Sequence, residues 1–132
     1  MRLWRWVNPG LVYAVHDMQL ARHSGLAGLR DKNAVESALE RARQLYAYGK
    51  PVPDAAALAA AYTFGLVRSH GFSDGNKSTA WVIARVFLLD NGERLAFTDI
   101  EAIHVMQDIT AGTISEPDLA HWFRQRLNPT LP

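Results

Sequence analysis

Apolar residues along this chain recur at helical rather than alternating spacing, in six runs separated by glycine, proline or capping residues. In the first run Leu11, Val12, Val15 and Leu20 gather on one side of a helix. Asn8 followed by Pro9 is a start signal, and the Ser24–Gly25 turn is its expected stop. Ahead of it, Met1 to Val7 alternates apolar and basic residues, which suits a short strand or an extended arm docking the rings of Trp4 and Trp6. The second run has Val35, Ala38, Leu39, Ala42, Leu45 and Tyr46 at spacings of three and four. Asp31 or Asn33 caps it, with Glu36 placed for a capping box after Asn33. The stretch Tyr46 to Pro53 (YAYGKPVP) then predicts an extended loop or a small hairpin.

Asp54 caps the third run, AAALAAAYTFGLVRSH, whose alanines permit close helix packing. The fourth, Ser78 to Asp90, is apolar on nearly every side and is expected to be central; Asn91–Gly92 ends it. Thr98 with Glu101 makes a capping box for a fifth helix ending at Gly112, and Ser115 opens a sixth with Leu119, Trp122, Phe123 and Leu127 buried. The tail NPTLP reads as frayed. The expectation is an all-α fold in one domain spanning 1–132.

Composition narrows the function. The 132 residues are 48% hydrophobic and 20% charged, with a net charge of +1, so neither nucleic acid nor an anionic membrane is favoured. The absence of cysteine removes disulfides, thiolate metal sites and cysteine nucleophiles. The N-terminus is too short and too interrupted for a signal peptide, and no apolar run approaches the roughly 20 residues of a membrane span. A soluble, cytoplasmic protein is expected.

The chemistry concentrates between His70 and Lys77 (HGFSDGNK), just before the fourth helix. A helix N-terminus presents unpaired N–H groups and the positive end of the dipole to an anion. Gly75 and Asn76 can form an anion-binding turn, Lys77 adds a point charge, Asp74 suits a magnesium ion, and His70 is a general base for neutral pH. The plain alternative is a helix–turn–helix connection with a capping aspartate. A P-loop is excluded, because GxxxxGK[ST] needs glycine where Asn76 stands and no strand precedes. His16, His23, His104 and His121 carry no helical zinc spacing, and they read as structural or surface residues.

His70 to Lys77 resembles the HxFx[D/N][G/A]NK core of the Fic/Doc family, in the form carried by the death-on-curing toxins of bacterial toxin–antitoxin pairs. GLAGLRDKNAVESAL (Gly25 to Leu39) and VRSH (Val67 to His70) extend the likeness. It implies a compact Fic/Doc-like domain of six or seven helices, with room for a small flap hairpin. The implied reaction is transfer from ATP, with Mg2+, to a hydroxyl of a target protein such as elongation factor Tu. It further implies a cognate antitoxin. Carried over by position, His70 is the catalytic base, Asp74 the metal ligand, Gly75, Asn76, Lys77 and Ser78 the phosphate site, and Phe72 the inward anchor. Tyr48, Gly49, Lys50, Pro51 and Val52 would be the target-docking flap. Lysine at 77 favours γ-phosphate transfer over AMP transfer. The chain departs from the pattern at Ser78, where the family has arginine. That loss of a phosphate fork implies weakened chemistry or a silent antitoxin-binding module as alternatives.

Overall fold

The computed structural model describes residues 3–23, 28–72 and 75–129. Its elements in order are α1 (Pro9–His23), α2 (Lys32–Tyr48), α3 (Ala55–Ser69), α4 (Asn76–Asp90), β1 (Glu93–Leu95), α5 (Asp99–Ala111), α6 (Glu116–Arg124) and β2 (Leu127–Pro129). The fold is all-α apart from the small antiparallel pair β1–β2. No described helix is long and apolar enough to cross a membrane.

Local chemistry starts most of the helices where the sequence places them. The side chain of Asp31 accepts from the Ala34 N–H at 3.0 Å, that of Asp54 from Ala57 at 2.9 Å, and that of Ser115 from Asp118 at 3.2 Å. Thr98 and Glu101 form the full reciprocal capping box. Each such cap satisfies an N–H group that the helix itself leaves unpaired. Asp31, and not Asn33, is thus the residue that opens α2. Its helix also runs on to Tyr48, because neither Tyr46 nor Ala47 breaks a helix and the first obstacle is Gly49.

The core forms around α3, in which ten residues from Ala55 to Leu66 are buried, against six in α4. Its alanines let neighbours approach closely; a Cβ on Gly65 would already press on the Ala38 carbonyl of α2 at 3.1 Å. The apolar α4 lies against α3 and contributes Ile83, Phe87 and Leu88 to the core, while Leu89 faces solvent. Phe87 in turn receives the N-terminal arm. Trp4 and Trp6 stack on its ring with centroids 5.9 and 6.3 Å away, so residues 3–7 dock as an extended arm and not as a strand. Burying aromatic rings contributes a few kcal/mol each.

Of the extended loop and the small hairpin expected for Tyr46 to Pro53, residues 49–54 take the loop. The tail read as frayed instead begins with β2, where Leu127, Asn128 and Pro129 pair with Leu95, Arg94 and Glu93. Strands of three residues carry too little alternation to be seen in sequence. Thr130 to Pro132 lie outside the described residues, as does the Ser24–Gly25 stop of the first helix.

Asp54 both caps α3 and receives a two-pronged contact from Arg124 of α6, at 2.6 and 3.0 Å. The Arg124 hydrogen bonds hold its carboxyl below the ordinary range, against burial that pushes it up, and the Ala57 N–H adds to the lowering. A depressed carboxylate stabilises above its unfolded pKa of about 3.9, and that contribution is lost as pH falls through the folded value. Asp54→Asn keeps a capping oxygen and loses the charge. Thermal unfolding at pH 7 should show it less stable by at most about 1 kcal/mol, with the difference from the parent shrinking below about pH 4. Thr79 on α4 is fully buried and its hydroxyl has no hydrogen-bond partner. Thr79→Val should raise stability by about 1 kcal/mol; a loss of stability on chemical denaturation would show that the hydroxyl is satisfied.

Candidate functional site

The segment linking α3 to α4 has two residues at its ends held in the left-handed backbone region. His70, the C-cap of α3, has φ 47° and ψ 36°, and it is the only non-glycine residue with positive φ among the described residues. Gly75, the N-cap of α4, has φ 79°. Glycine adopts this conformation at no steric cost, whereas histidine there stores about 1–2 kcal/mol of strain. The turn displays the His70 imidazole to solvent at the end of a buried helix.

Between these ends the loop is pinned by Phe72, which is 3% exposed. The Asn76 amide closes on the Phe72 backbone: Oδ1 accepts from the Phe72 N–H at 3.1 Å, and Nδ2 donates to its carbonyl at 2.9 Å. On the other side the chain before α2 lies alongside. Leu29 forms an antiparallel backbone bridge with Phe72, and the Arg30 and Asp31 N–H groups donate to the Gly71 carbonyl at 2.7 and 2.9 Å. The approach is close enough that a Cβ on Gly71 would overlap Val35 Cγ2 and sit 3.2 Å from the Asp31 carbonyl. Glycine at 71 is therefore a packing requirement.

From α1, Tyr13 meets the Phe72 ring edge-on at 6.1 Å. His16 stacks on it face to face, 3.7 Å between centroids and 11° between planes. His16 is buried, so it is a residue of this site that sequence reasoning left among the structural histidines. Its signal was present: it falls four residues after Val12 on the buried side of α1. His104 and His121 are exposed on α5 and α6.

The start of α4 differs from the other described helices. Gly75 offers no side-chain cap. Lys77 in the first turn is exposed, and no carboxylate among the described residues pairs with it. A helix N-terminus of this kind, with no side-chain cap from its N-cap residue and a cation beside it, suits an anion. Two side chains of the expected phosphate set are committed elsewhere. Asn76 is taken up by Phe72, so what it offers an anion is its backbone N–H. Ser78 turns its hydroxyl back onto the Gly75 carbonyl at 3.3 Å. Asp74, the expected metal ligand, lies outside the described residues, and no three of His, Asp and Glu among the described residues converge on a common point.

The expected flap is not at this site. Tyr48 belongs to α2, and Gly49, Lys50, Pro51 and Val52 precede α3, whose 15 residues span about 22 Å before His70 is reached. These residues therefore sit at the opposite end of α3, and the segment that flanks the loop is Leu29 to Asp31, with Leu29 46% exposed. The missing motif arginine finds no replacement in Arg85, whose guanidinium covers the Phe97 ring at 5.1 Å. Arg68 lies over Phe64 at 4.9 Å, lining a cleft of about 340 Å³ between α2 and α3 that Ser69 and Arg41 share.

Two comparisons bear on this arrangement. The Fic/DOC family pattern matches residues 6–88, which takes in the end of the arm, the pinned loop and all but the end of α4. The chain is also 31% identical over 121 residues to the protein named "Protein kinase doc" of Escherichia phage P1. That alignment covers 92% of this chain and 94% of the phage protein.

The overlap at Gly71 makes a direct test of how the loop is held. Gly71→Ala should cost about 1–3 kcal/mol by overpacking. Adding Val35→Ala should recover part of that loss, since it removes the overlapping methyl. Equal stability of Gly71→Ala and the parent in urea unfolding would show that the loop is free to lift off.

Proposed function

The chain belongs to the Fic/DOC family, and on that premise we propose that it is a Doc-type toxin kinase transferring the γ-phosphate of ATP to a hydroxyl of a target protein. The observation that carries the reading is the pairing of an exposed, left-handed His70 with an α4 N-terminus that opens on Gly75 and bears Lys77. In this reading the His70 imidazole takes the proton of the acceptor hydroxyl as its oxygen attacks the γ-phosphorus. The bond from that phosphorus to the β-phosphate bridging oxygen breaks, and ADP leaves. The first-turn N–H groups of α4 and the Lys77 ammonium hold phosphate oxygens and take up charge that develops there. A lysine at this position favours a pose with the terminal phosphate toward the base, hence phosphate rather than AMP transfer.

A carboxylate at 74 has the chemistry to hold Mg2+, which would neutralise charge on the phosphates. Docking of the acceptor segment falls to Leu29 and Arg30, beside the loop, rather than to Tyr48–Val52. By the family likeness the target is a translation factor such as elongation factor Tu, the setting is the cytoplasm, and a cognate antitoxin is the inhibiting partner.

Ser78 sets the expected rate. Its hydroxyl, bound to Gly75, supplies no planar cationic fork, and the loss of one such contact lowers turnover on the order of 10²-fold. The test is incubation with candidate targets and ATP labelled at either the α or the γ phosphate. Label transferred from γ alone, falling at least 10²-fold in His70→Ala and rising 10- to 100-fold in Ser78→Arg, is the expected result. Label from the α position would make the reaction AMP transfer. Silence of the parent and of Ser78→Arg alike, with the antitoxin still bound, would leave a binding module.

A further inference from the structure

We propose that His16 is a positioning residue of this site, whose nitrogen-bearing edge fixes the height of the α4 N-terminus. The inference deepens the proposed function and rests on it for the kinetic part alone. A contact and a placement define the role. One face of the imidazole lies on the Phe72 ring at 3.7 Å, nearly parallel to it. The Cδ2–Nε2 edge faces Gly75, where an added Cβ would stand 3.4 Å from Cδ2 and 3.5 Å from Nε2. A single buried side chain from α1 thus spans the loop from its anchor to the residue that opens α4.

An apolar ring would fill the same volume and keep the stack, so packing alone does not call for histidine. The imidazole costs more to bury than a phenyl group, because its ring nitrogens must be satisfied inside the protein. What it supplies in exchange is a polar edge against the backbone turn at Gly75. That turn decides where the N–H groups of Asn76, Lys77 and Ser78 point. A shift of about 1 Å in such donors costs on the order of 10²-fold in rate.

Two substitutions separate the stack from the edge. His16→Phe keeps the ring on Phe72 and removes the nitrogens. His16→Gln gives up the ring and retains an amide of similar reach. The first measurement needs no transferase activity: hydrogen exchange in the intact chain of the Thr79 amide, which donates to the Gly75 carbonyl at 3.0 Å and so reports on that turn, referenced to α6. We expect exchange at least 10-fold faster in His16→Phe and within about 3-fold of the parent in His16→Gln, with α6 unchanged in both. Exchange in His16→Phe equal to the parent would overturn the proposal, making His16 an apolar filler. So would equal acceleration in both variants, since the stack would then carry the effect. The second measurement is steady-state phosphate transfer on the Ser78→Arg background. There His16→Phe should lower kcat 10- to 100-fold with KM for the target unchanged, and His16→Gln should recover most of it. Unaltered kcat in His16→Phe would overturn the positioning role even if exchange changes. If no variant transfers phosphate while exchange behaves as expected, it is the kinase reading that fails.

Discussion

The arrangement depends on the burial of one ring. The α3–α4 loop carries polar residues and glycines, and Phe72 is the apolar side chain by which its described part enters the core. Burying it is worth about 2–3 kcal/mol, but it also carries its own N–H and carbonyl away from water, where each must find a partner. Asn76 supplies both partners at once. The same ring therefore fixes His70, two residues before it, and the first turn of α4, four residues after it. Neither end of the loop can move without breaking the Asn76 clip or opening a cavity under Phe72.

α4 uses this device twice. At its far end Asn91 treats the N-terminal arm as Asn76 treats the loop: Oδ1 accepts from the Arg5 N–H at 2.8 Å, and Nδ2 donates to the Arg5 carbonyl at 3.0 Å. In each case one side-chain amide satisfies both backbone groups of an extended residue, as a neighbouring strand would. The arm, β1 and β2 all gather at the C-terminal end of the helix. The N-terminal end is thereby left to the loop and to the segment before α2. The molecule separates the part that secures its chain ends from the part that carries its polar chemistry.

What the sequence disclosed follows the range of the interactions involved. Caps are local, so Asp54, Thr98 and Ser115 could be read directly and Asp31 as one of two candidates, and an eight-residue motif pointed to the candidate site. Which segments flank that site depends on helix direction. Helices α2 and α3 are joined by a short connection and so run antiparallel. The residues before α2 then meet the residues after α3, and the proline-containing turn between the helices lies at the other end. Leu29 to Asp31 could have been placed at the loop by that argument, and Tyr48 to Val52 excluded from it. Asn76 and His16 were not legible in the same way. An asparagine beside a glycine reads equally as a donor to a ligand or to its own chain, and the ring under a histidine 56 positions away is a tertiary fact.

The left-handed conformation of His70 shows which effect wins. It costs about 1–2 kcal/mol, and an unconstrained turn would relieve it by rotating the imidazole elsewhere. On its near side Ser69 donates to the Leu66 carbonyl at 2.9 Å and accepts from the Gly71 N–H at 3.2 Å. On its far side the Gly71 carbonyl takes the two N–H groups of Arg30 and Asp31. These four hydrogen bonds, at about 1 kcal/mol each, together with the burial of Phe72, exceed the strain several-fold. Both neighbours of His70 are thus tied down by groups that do not include its side chain. The backbone of His70 is held in place by bonds that leave its imidazole uncommitted among them. In the proposed reaction that suits a group taking a proton from an incoming hydroxyl, since part of the entropy of placing it is lost during folding rather than at the moment of reaction.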